Sequence, residues 1–115
     1  MPSDEQELLA KAYAAYNRRD IDALSALVSD DVDWPDGDDR LSGRASLQAY
    51  WQDQWTRTRT HDEPVTFTHR PDGRVVVRID QVVRSLDGTV ISTGSFDHVH
   101  RIAAGRIRRL DITKS

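Results

Sequence analysis

Two aspartates stand where a carboxylate could do chemistry. Asp97 lies inside residues 89–102, TVISTGSFDHVHRI, the longest run that reads as one strand, and is its only carboxylate. With Phe96 and Val99 close by, a buried Asp97 needs a partner. Asp36 comes where the short extended segment Val32-Asp33-Trp34 passes through Pro35 into the loop Asp36-Gly37-Asp38-Asp39. If both carboxylates were enclosed in one apolar pocket, they could not both ionise cheaply. Desolvation would raise both pKa values and repulsion would separate them. One group would then take a proton and the other would stay protonated and donate a hydrogen bond. Such a pair can move a proton beside a carbonyl. A plainer reading stands next to this one. Asp36 is then a turn former among Asp33, Asp38 and Asp39. Asp97 is then balanced by an arginine such as Arg108, or bonded to Tyr16.

Aromatic residues would have to keep such a site dry. Trp34 is two residues before Asp36, on the same side of the extended segment, and is expected to wall it off. Trp34 and Trp55 are expected at the pocket mouth, although packing is the ordinary use of such side chains. Strand alternation puts Ser95, Asp97 and Val99 on one face and Phe96, His98 and His100 on the other. With Asp97 inward, the two histidines face outward, toward a partner subunit. They lack a third ligand at a usual spacing, so no metal site is expected. His61 and His69 read as surface residues.

The elements that must position these residues follow from periodicity. Residues 3–19 read as a helix, with a Ser3/Gln6 capping box and a stripe of Leu8, Leu9, Ala12, Tyr13 and Tyr16. Asp20 can cap a second, shorter helix carrying Ile21, Leu24, Leu27 and Val28. A third helix is expected over 44–57, with Leu47, Tyr50, Trp51, Gln54 and Trp55 on one face, fraying over 56–60. From Pro64 the period switches to two. Strands are expected over 65–69, 74–86, 89–102 and 106–113. Pro71-Asp72-Gly73, Asp87-Gly88 and Ala103-Ala104-Gly105 make the turns. Val75, Val77, Ile79 and Val83 share a face. Helices set against an antiparallel meander give an α+β class.

The 115 residues fit one domain, spanning 1–115. A net charge of −3 offers nothing to attract nucleic acid. The chain has no cysteine, which excludes disulfide and thiolate chemistry. No apolar run approaches a membrane span, and the acidic, amphipathic start is unlike a secretory signal. A cytoplasmic location is expected. No phosphate-binding glycine loop and no serine nucleophile elbow is present.

The segments AYAAYNRRDIDALSALVSDDVDW, SGRASLQAYW and FDHVHRIAAGRIRRL, in this order, resemble the SnoaL-like and ketosteroid-isomerase-like proteins of the nuclear transport factor 2 superfamily. The resemblance covers most of the chain. It implies a cone-shaped NTF2-like fold, with three N-terminal helices packed on a curved antiparallel sheet and a hydrophobic pocket at the open end. It also implies a homodimer formed through the outer sheet face. The isomerases' general base, aligned from Asp30-Asp31 without gaps, falls on Asp36. Their second pocket carboxyl, eight residues before the glycine of the last turn, falls on Asp97. Their oxyanion tyrosine falls on Ala12, so Tyr16, a turn further along the same face, becomes the candidate for that part. The same alignment faces Leu110 and Ile112 into the pocket and aims Arg108 at its rim. The function implied is an isomerase, cyclase or dehydratase/hydrolase working on a small hydrophobic molecule without a cofactor. The alternative is a module that binds such a molecule, or dimerises, without catalysis.

Overall fold

The computed structural model describes residues 3–114. Met1, Pro2 and Ser115, within the expected domain span, lie outside them. The elements run α1 (Asp4–Asn17), α2 (Ile21–Ser25), β1 (Val28–Asp36), β2 (Asp39–Ser42), α3 (Arg44–Arg57), β3 (Thr58–His69), β4 (Val75–Ser85), β5 (Val90–Ala103) and β6 (Arg106–Lys114). The caps read from sequence form as expected. Ser3 Oγ accepts from the Gln6 N–H at 3.1 Å, and Asp20 Oδ1 from the Ala23 N–H at 3.2 Å.

The strands form one six-stranded sheet in the order β2-β1-β6-β5-β4-β3. Its pairs are antiparallel except β1 with β6, which run parallel. Three strands exceed the sequence expectation. The extended segment 32–34 lengthens at both ends into β1, which takes Val28 from the expected second helix, since α2 ends at Ser25. The loop after Asp36 closes a hairpin, so Asp39–Ser42 forms β2. The segment expected to fray is ordered, with residues 56–57 closing α3 and 58–60 opening β3. Pro64 does not end that strand, because β3 is the sheet edge, where a missing donor costs little. Bulges at Val65 and Ile91 interrupt the register, and bulges add local bend and twist.

The helices lie in the concave side of the sheet. Leu9, Val28, Val32, Leu47, Trp51, Val75, Val77, Ile79 and Ile107 are buried almost completely between the two layers. Burial of such side chains contributes roughly 1.5–3 kcal/mol each. The turn into α3 depends on Gly43, which adopts φ 96°, ψ 150° while its N–H bonds Val32 O at 2.8 Å. This backbone region is nearly glycine-only. Gly43→Ala is expected to destabilise the protein by about 1–2 kcal/mol, measured as a lower urea midpoint at unchanged slope.

Candidate functional site

Between α1, α3 and the sheet lies a cavity of about 180 Å³. Its apolar wall includes Leu24, Val28, Trp34, Trp51, Ile107, Leu110 and Ile112. Its polar lining comes from Tyr13, Tyr16, Tyr50, Gln54, Asp62, Gln81, His98 and His100.

The centre of this lining is a three-residue cluster. Tyr13 Oη lies 2.7 Å from His98 Nδ1 and 2.9 Å from His100 Nε2. The Tyr13 ring stacks on His98 and meets His100 edge-on. All three are buried, at 6%, 5% and 3% exposure. Burial away from water disfavours the charged imidazolium. The His98 pKa is therefore lowered to about 4, with the nearby Asp97 charge opposing. The His100 pKa is lowered to about 3, first by burial and then by His98. Both rings are neutral at pH 7. Burial, then the Asp62 charge, raises the Tyr13 phenol, so it keeps its proton. A phenol has one proton to give. Tyr13 therefore donates to one imidazole and accepts from the other. Among the described residues, His100 Nδ1 is buried without a partner.

Asp62 is the second polar feature. It lies on β3 at 7% exposure, opposite Gln81, whose Nε2 donates to Asp62 Oδ1 at 2.9 Å. The Asn17 side chain holds the Asp62 backbone at both ends, bonding its N–H and its carbonyl at 2.9 Å each. Burial raises the Asp62 pKa, and the Gln81 bond partly offsets this. Tyr16 Oη donates to Gln54 Oε1 at 3.1 Å. Burial and the Asp62 charge raise the Tyr16 phenol.

The expected facing of β5 is reversed. Val77 pairs with His98 and Val75 with His100. Directly opposite residues share a face, and both valines are fully buried. The histidines therefore look into the cone. Asp97 looks outward, pairs across the strands with Arg78, and forms an ion pair with it at 3.3 Å. The plainer reading of Asp97 thus describes its surroundings, with Arg78 in the place expected for Arg108. Val99 also faces outward, beside Arg74, Arg101, Arg109 and Asp111. Its low exposure follows from its neighbours there, since long arginine side chains can cover apolar surface.

The other expected residues divide. Trp34 and Leu110 line the cavity as expected, and Trp34 meets Trp51 edge-on at 5.4 Å. Tyr16 lines it too. Trp55 instead packs against Tyr16 outside the lining, with centroids 6.0 Å apart. Asp36 is exposed at the end of β1. It is near enough to Tyr50 to raise that phenol's pKa, after burial, which puts it by the rim. Arg108 does not aim inward. A bulge between Arg101 and Ile102 gives the inner position to Ile107, and Arg108 pairs outside with Asp31 at 3.5 Å.

Sequence reasoning missed Tyr13, His98, His100 and Asp62 as a group. A signal for the histidines was present. Taking Asp87-Gly88 as a two-residue turn puts Leu86 opposite Thr89, and so Val77 opposite His98. The actual turn has an extra residue, closed by Ser85 N–H to Thr89 O at 2.8 Å. The bulge at Ile91 cancels it, and the same register results.

The architecture is shared with related proteins. The family model described as a SnoaL-like domain matches residues 9–110. TerC, co-crystallised with polyporic acid, is 26% identical over 98% of this chain and 92% of its own, with a TM-score of 0.83. An NTF2-like protein of unknown function from Burkholderia pseudomallei K96243 is 23% identical over 99% and 92%, with a TM-score of 0.85. A protein provisionally named a polyketide cyclase, from Pseudomonas putida KT2440, is 20% identical over 100% and 93%, with a TM-score of 0.83. No curated protein matches the chain. Among the described residues no helix is long and apolar enough to cross a membrane. The match over residues 9–110, on a curved six-stranded sheet that encloses a lined cavity, makes this chain a member of the SnoaL-like domain family, with the NTF2-like cone fold.

Proposed function

We propose that this chain is a cofactor-free enzyme of the isomerase or cyclase type, which moves a proton on a small, mostly apolar carbonyl compound. The observation that carries this is the Tyr13 hydroxyl shared by two neutral, buried imidazoles in the cavity wall. Among the described residues the remaining nitrogens, His98 Nε2 and His100 Nδ1, have no hydrogen-bond partner.

The cluster supports a balanced relay. In one arrangement His98 Nε2 is bare, His98 Nδ1–H donates to Tyr13, and Tyr13 donates to His100 Nε2. His98 Nε2 takes a substrate α-proton, whose bonding pair stays on the substrate as an enolate. The Nδ1 proton passes to Tyr13 Oη, and the phenol's own proton passes to His100 Nε2. These shifts then reverse, and His98 Nε2, the open end of the cluster, gives the proton back to the substrate at another atom, because His100 Nδ1 is buried. The cluster ends as it began, with no net charge. Gln54 supports the enolate oxygen. Its Oε1 is occupied by Tyr16, which leaves its amide N–H groups for the cavity. Tyr16 thus acts by orienting an oxyanion donor. The volume suits one or two rings, being of the order of the ~150 Å³ cavity known to admit benzene.

In this reading the proton-transfer part expected of Asp36 and Asp97 passes to the Tyr13 cluster. The test is deuterium exchange at the α-carbon of cyclic ketones in D2O, followed by NMR, since it needs no known product. Exchange above buffer is expected. Asp36→Asn and Asp97→Asn are expected to stay within about twofold of the unsubstituted protein, since groups that do not line the cavity contribute little to a buried proton transfer. Absence of exchange across a ketone panel would sink the catalytic reading. A large loss in Asp97→Asn alone would return the chemistry to the carboxylates.

A further inference from the structure

The cavity has one formally charged group. Among the described residues, its lining includes no lysine or arginine, and both histidines are neutral at pH 7. Asp62 is therefore a carboxylate facing the cavity without a cation inside it. An ionised carboxylate offers about four acceptor sites. The described residues fill one, through Gln81. Asn17 holds the Asp62 backbone and leaves the carboxylate free. His61, next in the chain, alternates to the exposed side and pairs with Glu63 at 2.9 Å. A buried charge with one hydrogen bond is costly unless something pairs with it. Around the same space stand the rings of Tyr13, Tyr16, Trp34, Tyr50 and Trp51. Aromatic faces attract cations, and the attraction grows when the cation is desolvated.

We propose that Asp62 anchors a protonated amine, so that the ligand of this cavity is a small aromatic or alicyclic ammonium compound. The inference rests on the reading of the cavity as a small-molecule site, but not on the proton relay. The ammonium donates to the free positions of the Asp62 carboxylate. Its carbon framework lies among the aromatic rings, and its far end comes toward the Tyr13 cluster. The amine supplies the counter-charge that the chain itself withholds. The same lone negative charge excludes carboxylate ligands of equal size.

The test compares benzylamine, benzyl alcohol and benzoate by calorimetry at pH 7. They share a ring and differ in charge. Benzylamine is expected to bind at least tenfold tighter than benzyl alcohol, with benzoate weakest. Asp62→Asn is expected to bring amine and alcohol within about threefold. Equal or tighter binding of benzyl alcohol overturns the proposal, because Asp62 then serves a neutral hydroxyl. So does tightest binding of benzoate, or an amine preference that survives Asp62→Asn. If that variant does not fold, the carboxyl carbon shift of Asp62 decides in the unsubstituted protein. Benzylamine is expected to lower the pH at which it titrates, and an unmoved titration overturns the assignment. Amine selectivity without ketone exchange would remove the relay and leave this inference standing. Exchange without amine selectivity would do the reverse.

Discussion

Tyr13→Phe is expected to lower the α-exchange rate about 100-fold while changing ketone affinity little. Positioned acid–base groups contribute about 10²–10⁴ in rate, and the low end applies because each imidazole keeps one free nitrogen. Phenylalanine retains the ring that stacks on His98 with centroids 5.8 Å apart. It removes only the oxygen that joins the two nitrogens. The substitution also leaves buried imidazole nitrogens unpaired, which costs about 1–3 kcal/mol of stability. Rate and stability must therefore be read separately, by measuring exchange where thermal unfolding shows both proteins folded. A structural tyrosine would reduce the folded fraction, but not the rate per folded molecule. An unchanged rate per folded molecule would end the relay mechanism. A proportional loss of ketone affinity would point to binding instead.

The second large effect is on stability in mild acid. A histidine kept neutral by burial binds its proton in the unfolded chain first. His98 and His100 have folded pKa values of about 4 and about 3, below an ordinary value near 6.5. Their contribution is fully present above pH 6.5, is lost as pH falls, and levels off below the folded values. At pH 5 each histidine is about 1.5 pH units inside this window, which corresponds to a loss of about 2 kcal/mol each, or about 4 for the pair. Tyr13 faces both rings from α1 and stays protonated throughout. Asp62, lining the same cavity from β3, acts in the opposite sense. Its raised pKa gains stability as pH falls from the folded value toward the ordinary carboxylate value. Asp97, on the other face of β5, favours protonation of His98 but does not outweigh burial. Urea unfolding at pH 7, 6 and 5 should therefore show stability falling more steeply toward pH 5, where the slope approaches two protons. His98→Gln should remove about one of them, whatever it does to stability at pH 7. A flat profile between pH 7 and 5 would mean that the histidines are hydrated in solution.

The histidines and Asp62 show why the site was harder to read than the fold. Alternation along residues 89–102 separated His98 and His100 from Asp97 correctly, because that depends only on strand geometry. It could not say which set faced inward. A strand with polar residues on both faces carries little orientation signal of its own. The fully apolar face of β4 and the pairing across the hairpin supply the answer. Asp62 was obscured by Pro64, which reads as a strand start until β3 is known to lie at the edge. Arg108 was misplaced by a bulge, a one-residue irregularity that periodicity does not register.

The sequence by itself determined the α+β class, the three helices with the caps of the first two, the long strands, and the residues sharing each face where no bulge intervenes. Those follow from local backbone preferences and short periods. The residue order of three segments also pointed to the SnoaL-like family that the chain belongs to. The tertiary structure alone decided which face of β5 looks inward, that Tyr13 bridges two histidines 85 and 87 residues away, and that Asp62 shares their cavity. Those are long-range matters, set by cross-strand register and by how the helices fill the concave sheet.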